Sequence, residues 1–177
     1  SIEQKTISKN PRSTVGTITE IYDFLRLLYA RASDAYSYNT GEKMVKYSTS
    51  QIVDLVIEKY DNKKLTLLAP LISGRKGHYK ELFNQIAKQG FLKVRIDGEI
   101  IFLTQGMQLD RYKTHDIEVV IDQIKVKKED KKRINNSINI ALKQGKGTVM
   151  VYENEADSFS LLSRNLICPA TGISYNE

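Results

Sequence analysis

Residues 91–103 read Phe91-Leu-Lys-Val-Arg-Ile-Asp-Gly-Glu-Ile-Ile-Phe-Leu103, two short apolar runs joined by Asp97-Gly98. A two-residue hairpin turn of the hand that suits twisted strands needs positive φ at both central positions, which Asp-Gly supplies. The stretch therefore predicts antiparallel strands over 91–96 and 99–103, with no room for a parallel crossover between them. Lys93 and Arg95 stand two apart on the first strand and project from the same face.

Periodicity extends this reading in both directions. Downstream, Ile117, Val119 and Ile121 alternate with Glu118, Val120 and Asp122, which predicts a strand over 115–126 with one well-buried face. Ile134, Ile138, Ala141 and Leu142 predict a helix over 129–144, and 148–152 and 157–162 read as two further strands. Upstream, Tyr79, Leu82, Phe83 and Ile86 mark a helix over 78–89 that stops at Gly90. Residues 65–72 read as a buried strand closed by Ser73-Gly74. Ser48 followed by Gln51 fits a capping box ahead of Ile52, Val53, Leu55, Val56 and Ile57, so a helix is expected to run to about Tyr60. The order α-β-α-β-β-β-α-β-β predicts an α+β fold, a mixed and mostly antiparallel sheet packed against helices.

A separate amphipathic helix precedes this unit. Val15, Ile18, Ile21, Tyr22, Leu25, Leu28, Tyr29 and Ala32 recur at intervals of three and four, from a cap near Ser13-Thr14 to about Ser33. So apolar a stripe needs a partner layer, and little local chain is at hand to supply one. Asp34 to Gly41 breaks the period as a linker or hinge. The expected organisation is 1–41, then an inserted domain over 42–163, then a return segment over 164–177. The polar opening loop, with Gln4, Lys5, Arg12, Ser13 and Thr14, reads as the middle of something larger.

The chain has 177 residues, 41% hydrophobic and 27% charged, with a formal charge of +6. Those proportions suit a globular domain, and no apolar run approaches a membrane span. A single cysteine, Cys168, fits a reducing, cytosolic compartment. Mild basicity permits an anionic partner without choosing between DNA and an acidic protein. Basic residues fall in three groups: Lys9, Arg12, Arg26 and Arg31; Arg75, Lys76, Lys93 and Arg95; and the run from Lys125 to Arg133, which reads as a solvated face.

Chemistry of its own is not expected of the chain. Ser73-Gly-Arg-Lys-Gly-His78 lacks the cradle and trailing hydroxyl of a phosphate-binding loop. Two histidines and one cysteine offer neither a nucleophilic scheme nor four zinc ligands. No catalytic residue, metal site or cofactor is assigned to it.

Glu3-Gln-Lys-Thr6, Asn10-Pro-Arg-Ser-Thr-Val-Gly-Thr17, Glu20 to Arg31, Leu68 to Gly77, Lys88 to Asp97, Ala156-Asp-Ser-Phe-Ser160 and Cys168-Pro-Ala-Thr-Gly172 resemble the UvrA family, the damage-sensing ATPases of the excinuclease ABC system in bacterial nucleotide excision repair. The resemblance implies a piece from the first nucleotide-binding half, with 1–41 and 164–177 belonging to the ATP-binding-cassette host. It implies that Gln4 is the Q-loop glutamine of the parent, and that 42–163 docks the partner protein UvrB through charge pairs. Lys93, Arg95, Arg75 and Arg111 are the residues expected to share that role. Lys93 and Gln123 stand where the family commonly has Arg, which a lysine replaces only as a point charge. Thr171 occupies the second ligand position of the family's Cys-Pro-x-Cys-Gly zinc pattern. ATP, magnesium, zinc, damaged DNA and homodimerisation are implied for the parent. The alternative expectation is that the same basic surface binds DNA directly.

Overall fold

The computed structural model describes residues 21–32 and 34–168. The chain divides into two compact units, Ser1–Ala35 and Tyr36–Glu177. In the first, helix α1 spans Ile21–Ala32. Ile21, Tyr22, Leu25 and Leu28 of its apolar stripe are all exposed, as are Phe24 and Leu27. The expected start of this helix near Ser13-Thr14 lies outside the described residues, as does Gln4.

The second unit contains α2 (Thr49–Lys59), β1 (Lys64–Lys76), α3 (Lys80–Lys88), β2 (Lys93–Ile96), β3 (Glu99–Phe102), β4 (Thr114–Lys125), α4 (Lys131–Gln144), β5 (Thr148–Glu153) and β6 (Ser158–Ser163). The six strands form one sheet in the order β3-β2-β4-β1-β5-β6, and every pairing in it is antiparallel. The α+β class thus holds, with antiparallel pairing throughout the sheet.

Local chemistry accounts for several element ends. Asp97 and Gly98 take φ of 50° and 98°, and Ile96 pairs with Glu99 across them, as the Asp-Gly turn requires. Ser48 caps α2 reciprocally: its Oγ accepts from the Gln51 N–H at 3.3 Å, and the Gln51 Oε1 accepts from the Ser48 N–H at 2.8 Å. Gly90 follows α3 with φ of 90°, a conformation that costs glycine least.

Strand β1 departs from expectation by running past Ser73-Gly74 to Lys76. Three register slips against β4 bend it through that point, and it pairs again at Arg75↔His115 and Lys76↔Thr114. The Gly74 N–H donates to the Asp116 Oδ1 at 2.8 Å, so the bend is tied to the neighbouring strand rather than ending the sheet.

All three helices of this unit contribute to the main core on one face. Ile52, Val53 and Val56 of α2, Phe83 and Ile86 of α3, and Ile134, Ile138, Ala141 and Leu142 of α4 meet Leu65, Leu67, Ala69, Val94, Ile96, Ile117, Val119, Val149 and Val151. Each fully buried Leu, Ile or Phe contributes roughly 1.5–3 kcal/mol. A second, smaller cluster of Leu68, Val120 and Met150, flanked by Ile100, Tyr152 and Leu161, comes from the alternate strand positions and so lies on the opposite face. None of its members comes from a helix. That face is where the candidate site lies.

Candidate docking face of the sheet

Lys93 and Arg95 reach the helix-free face because Val94 and Ile96, their neighbours on β2, are buried in the main core. Arg95 sits directly opposite Glu118 of β4. Its Nη1 is 3.4 Å from the Glu118 Oε2, and the two side chains are only 17% and 6% exposed. The guanidinium also lies 5.5 Å from the centre of the Tyr152 ring, a cation–π distance. Burial raises the Glu118 pKa above its usual value, and the Arg95 charge opposes that rise. Arg95 is therefore largely committed to partners within the sheet.

Lys93 is more available. Its Nζ donates to the Gln123 Oε1 at 3.1 Å and lies 5.0 Å from the Phe102 ring centre. Gln123 in turn donates to Thr66 Oγ1 at 3.4 Å, and Thr66 donates to Asn154 Oδ1 at 3.0 Å. This polar chain crosses β4, β1 and the segment after β5. Leu68, Val120 and Met150 form a small buried apolar cluster on the same face, with exposed Phe102 on edge strand β3 and exposed Phe159 on edge strand β6.

Of the four cations expected to act together, the sheet brings Lys93 and Arg95 side by side. Arg75 pairs in register with His115 near the start of β4, and Arg111 lies in the connection just before β4. Both are exposed. Arg111 hydrogen-bonds the Tyr112 hydroxyl and stacks 4.6 Å from its ring centre.

That end of the sheet holds a tighter cluster. His115 is buried; its Nδ1 is 2.7 Å from Asp97 Oδ2 and its Nε2 is 3.0 Å from the Asp110 carbonyl. Both ring nitrogens face acceptors, an arrangement that favours the doubly protonated ring. The Asp97 hydrogen bond raises the His115 pKa, against desolvation. Desolvation pushes Asp97 upward, but the His115 and Asp116 hydrogen bonds outweigh it and leave its pKa lowered. The cluster pins the β2–β3 turn to β4.

The sequence pattern does not single out Glu118 and Tyr152 as partners of Arg95. Alternation with Ile117 and Val119 predicts an outward Glu118, yet it is 4% exposed, because Arg95 and its neighbours cover it. A carboxylate opposite a predicted basic strand is the available signal, but using it requires the β2–β4 register. Asp122 also departs from simple alternation. Past the register slip at Leu67/Leu68 it accepts from Ser137 Oγ at 2.8 Å and pairs with Arg133 at 3.0 Å on the helix side.

The basic run after β4 is exposed as expected, with Lys131 paired to Asp54 at 2.8 Å. Cys168 is buried, 3.2 Å from Thr40 Oγ1 and 3.5 Å from Glu42 Oε2. One thiol with a hydroxyl and a carboxylate does not make a tetrahedral zinc site, and Thr171 lies outside the described residues. Among the described residues no group of three or more His, Cys, Asp or Glu could hold a metal ion, and no helix is long and apolar enough to cross a membrane.

The sequence pattern of the family described as the UvrA interaction domain matches residues 47–155, the stretch that contains Lys93, Arg95, Glu118 and Tyr152. Over its whole length the chain is 43% identical to UvrABC system protein A of Thermus thermophilus, 45% to that of Bacillus subtilis and 45% to that of Clostridium perfringens. It covers 19%, 18% and 19% of those proteins respectively, about a fifth of their length. The chain belongs to the UvrA interaction domain family.

Proposed function

We propose that residues 42–163 form the docking domain through which a UvrA protein engages UvrB in bacterial nucleotide excision repair, using the helix-free face of the sheet. The observation that carries this reading is the placement of Lys93 and Arg95 together on that face beside the exposed Phe102 ring. A partner carboxylate steered to Lys93 would replace the Gln123 contact with a charge-assisted bond, while the exposed Phe102 ring beside it loses water. Arg95, held by Glu118 and Tyr152, acts mainly as a fixed donor at the centre of the contact.

Residues 1–41 and 164–177 then belong to the ATP-binding-cassette host, with Gln4 as its nucleotide-sensing glutamine. ATP, magnesium, zinc, damaged-DNA binding and homodimerisation are functions of the parent in the bacterial cytoplasm, and this chain alone has no enzymatic role. Association of the 177-residue chain with purified UvrB, with bare duplex DNA as the comparison, tests the reading. Saturable UvrB binding with a shallow salt dependence supports it. A steep logarithmic salt slope on duplex DNA without UvrB binding would establish the DNA-binding alternative instead.

A further inference from the structure

We propose that the free edge of β4 at Gln123–Lys125 accepts an extended acidic segment of the docked protein as an added strand. The inference rests on the docking reading above and specifies how the partner is held.

Strand β4 is twelve residues long. On one side β1 accompanies it from Thr114 to Lys125. On the other, β2 pairs with it only at Ile117, Glu118 and Val119. Beyond Val119 the two strands part and leave an open cleft of about 340 Å³, lined by Gly90, Phe91, Leu92 and Lys93 on one wall and Val120 to Gln123 on the other.

The direction of the backbone groups follows from the end of the strand. The Val126 N–H donates to the Lys63 carbonyl at 2.9 Å, and the Val126 carbonyl accepts from Asn62 at 2.9 Å, so Val126 faces β1. Antiparallel alternation then turns Ile124 toward β1, and Gln123 and Lys125 away from it. Past Val119 no described strand pairs with β4 on that second side. Gln123 and Lys125 are exposed, and they present N–H and C=O groups as an unpaired template.

Charge selects the occupant. Lys93 lines the cleft, and Lys125 is exposed two residues beyond Gln123 on the same strand. Asp122, the acid among the lining residues, is neutralised by its pair with Arg133 and accepts from Ser137 Oγ. A second copy of this edge would set lysine against lysine, which opposes self-pairing. An extended segment bearing carboxylates meets no such repulsion, and main-chain bonds to Gln123 and Lys125 would fix its register.

Gln123→Pro removes the N–H that points into the cleft, whereas Gln123→Ala removes only the side chain. Calorimetric titration of UvrB into each variant of the 177-residue chain should show Gln123→Pro binding at least about tenfold more weakly than Gln123→Ala. Equal affinities for the two would overturn the added strand. Amide hydrogen exchange on the unsubstituted chain decides the matter even if the proline variant folds poorly. The Gln123 and Lys125 amides should exchange readily in the free chain and slow when UvrB is added; unchanged exchange in the complex overturns the proposal. If K93E/R95E abolishes UvrB binding while those amides stay unprotected, the docking face stands and the added strand falls. If the unsubstituted chain does not bind UvrB, both fall together.

Discussion

Arg95 and Glu118 face each other across β2 and β4 on the helix-free side of the sheet, with Arg95 Nη1 3.4 Å from Glu118 Oε2. Burial raises the Glu118 pKa above its usual 4.5 in spite of Arg95. An acid whose folded pKa exceeds its unfolded value binds more protons when folded, so stability is highest below 4.5 and declines as pH rises through the folded value. Glu118→Gln should abolish that decline, and Arg95→Gln should extend it to higher pH by removing the opposing charge. Urea unfolding midpoints between pH 4 and 8 measure both effects.

The His115–Asp97 pair predicts a decline in the same direction on its basic side and the opposite dependence on its acidic side. His115 is raised above 6.5, so its contribution is complete below 6.5 and is lost as pH rises through the folded pKa. Asp97 is lowered below 3.8, so its contribution is present above 3.8 and is lost as pH falls through the folded pKa. Their joint contribution is greatest between 3.8 and 6.5. His115→Gln should flatten the loss of stability on the alkaline side, and urea unfolding from pH 5 to 9 would reveal it.

Gly145 closes α4 at φ −83°, an ordinary backbone angle, yet a Cβ there would collide with the Thr148 carbonyl. Because the obstacle is backbone, no side-chain rotation relieves it. Gly145→Ala should destabilise the domain by about 1–3 kcal/mol, read as a lower melting temperature. Ser48→Ala, which removes one half of the capping box, should cost about 1 kcal/mol.

Much of this fold is legible in the sequence because local chemistry and burial agree. Asp97-Gly98 specifies a hairpin, Ser48 and Gln51 specify a helix start, and the spacing of Ile134, Ile138 and Leu142 chooses the buried side of α4. The pairing of β4 with β2, leaving β3 at the edge, is not legible, because register between strands separated by a long connection depends on the assembled core. The Arg95–Glu118 contact follows from that register. The slip at Leu67/Leu68 that turns Asp122 toward Ser137, and the bend that carries β1 past Gly74, leave no period in the sequence.

Arg75 and Arg111 lie by the start of β4, whereas Lys93 and Arg95 share the helix-free face. Arg75→Glu and Arg111→Glu should therefore weaken UvrB binding less than Lys93→Glu does. Affinities of the three single variants, measured at one ionic strength because exposed charges are screened, check this ranking.

The decisive comparison is the affinity of K93E/R95E for UvrB beside that of the unsubstituted chain, with far-UV circular dichroism and melting recorded on both. A folded double variant that binds at least about tenfold more weakly is the expected result. A folded double variant that binds UvrB as tightly as the original chain would contradict the account.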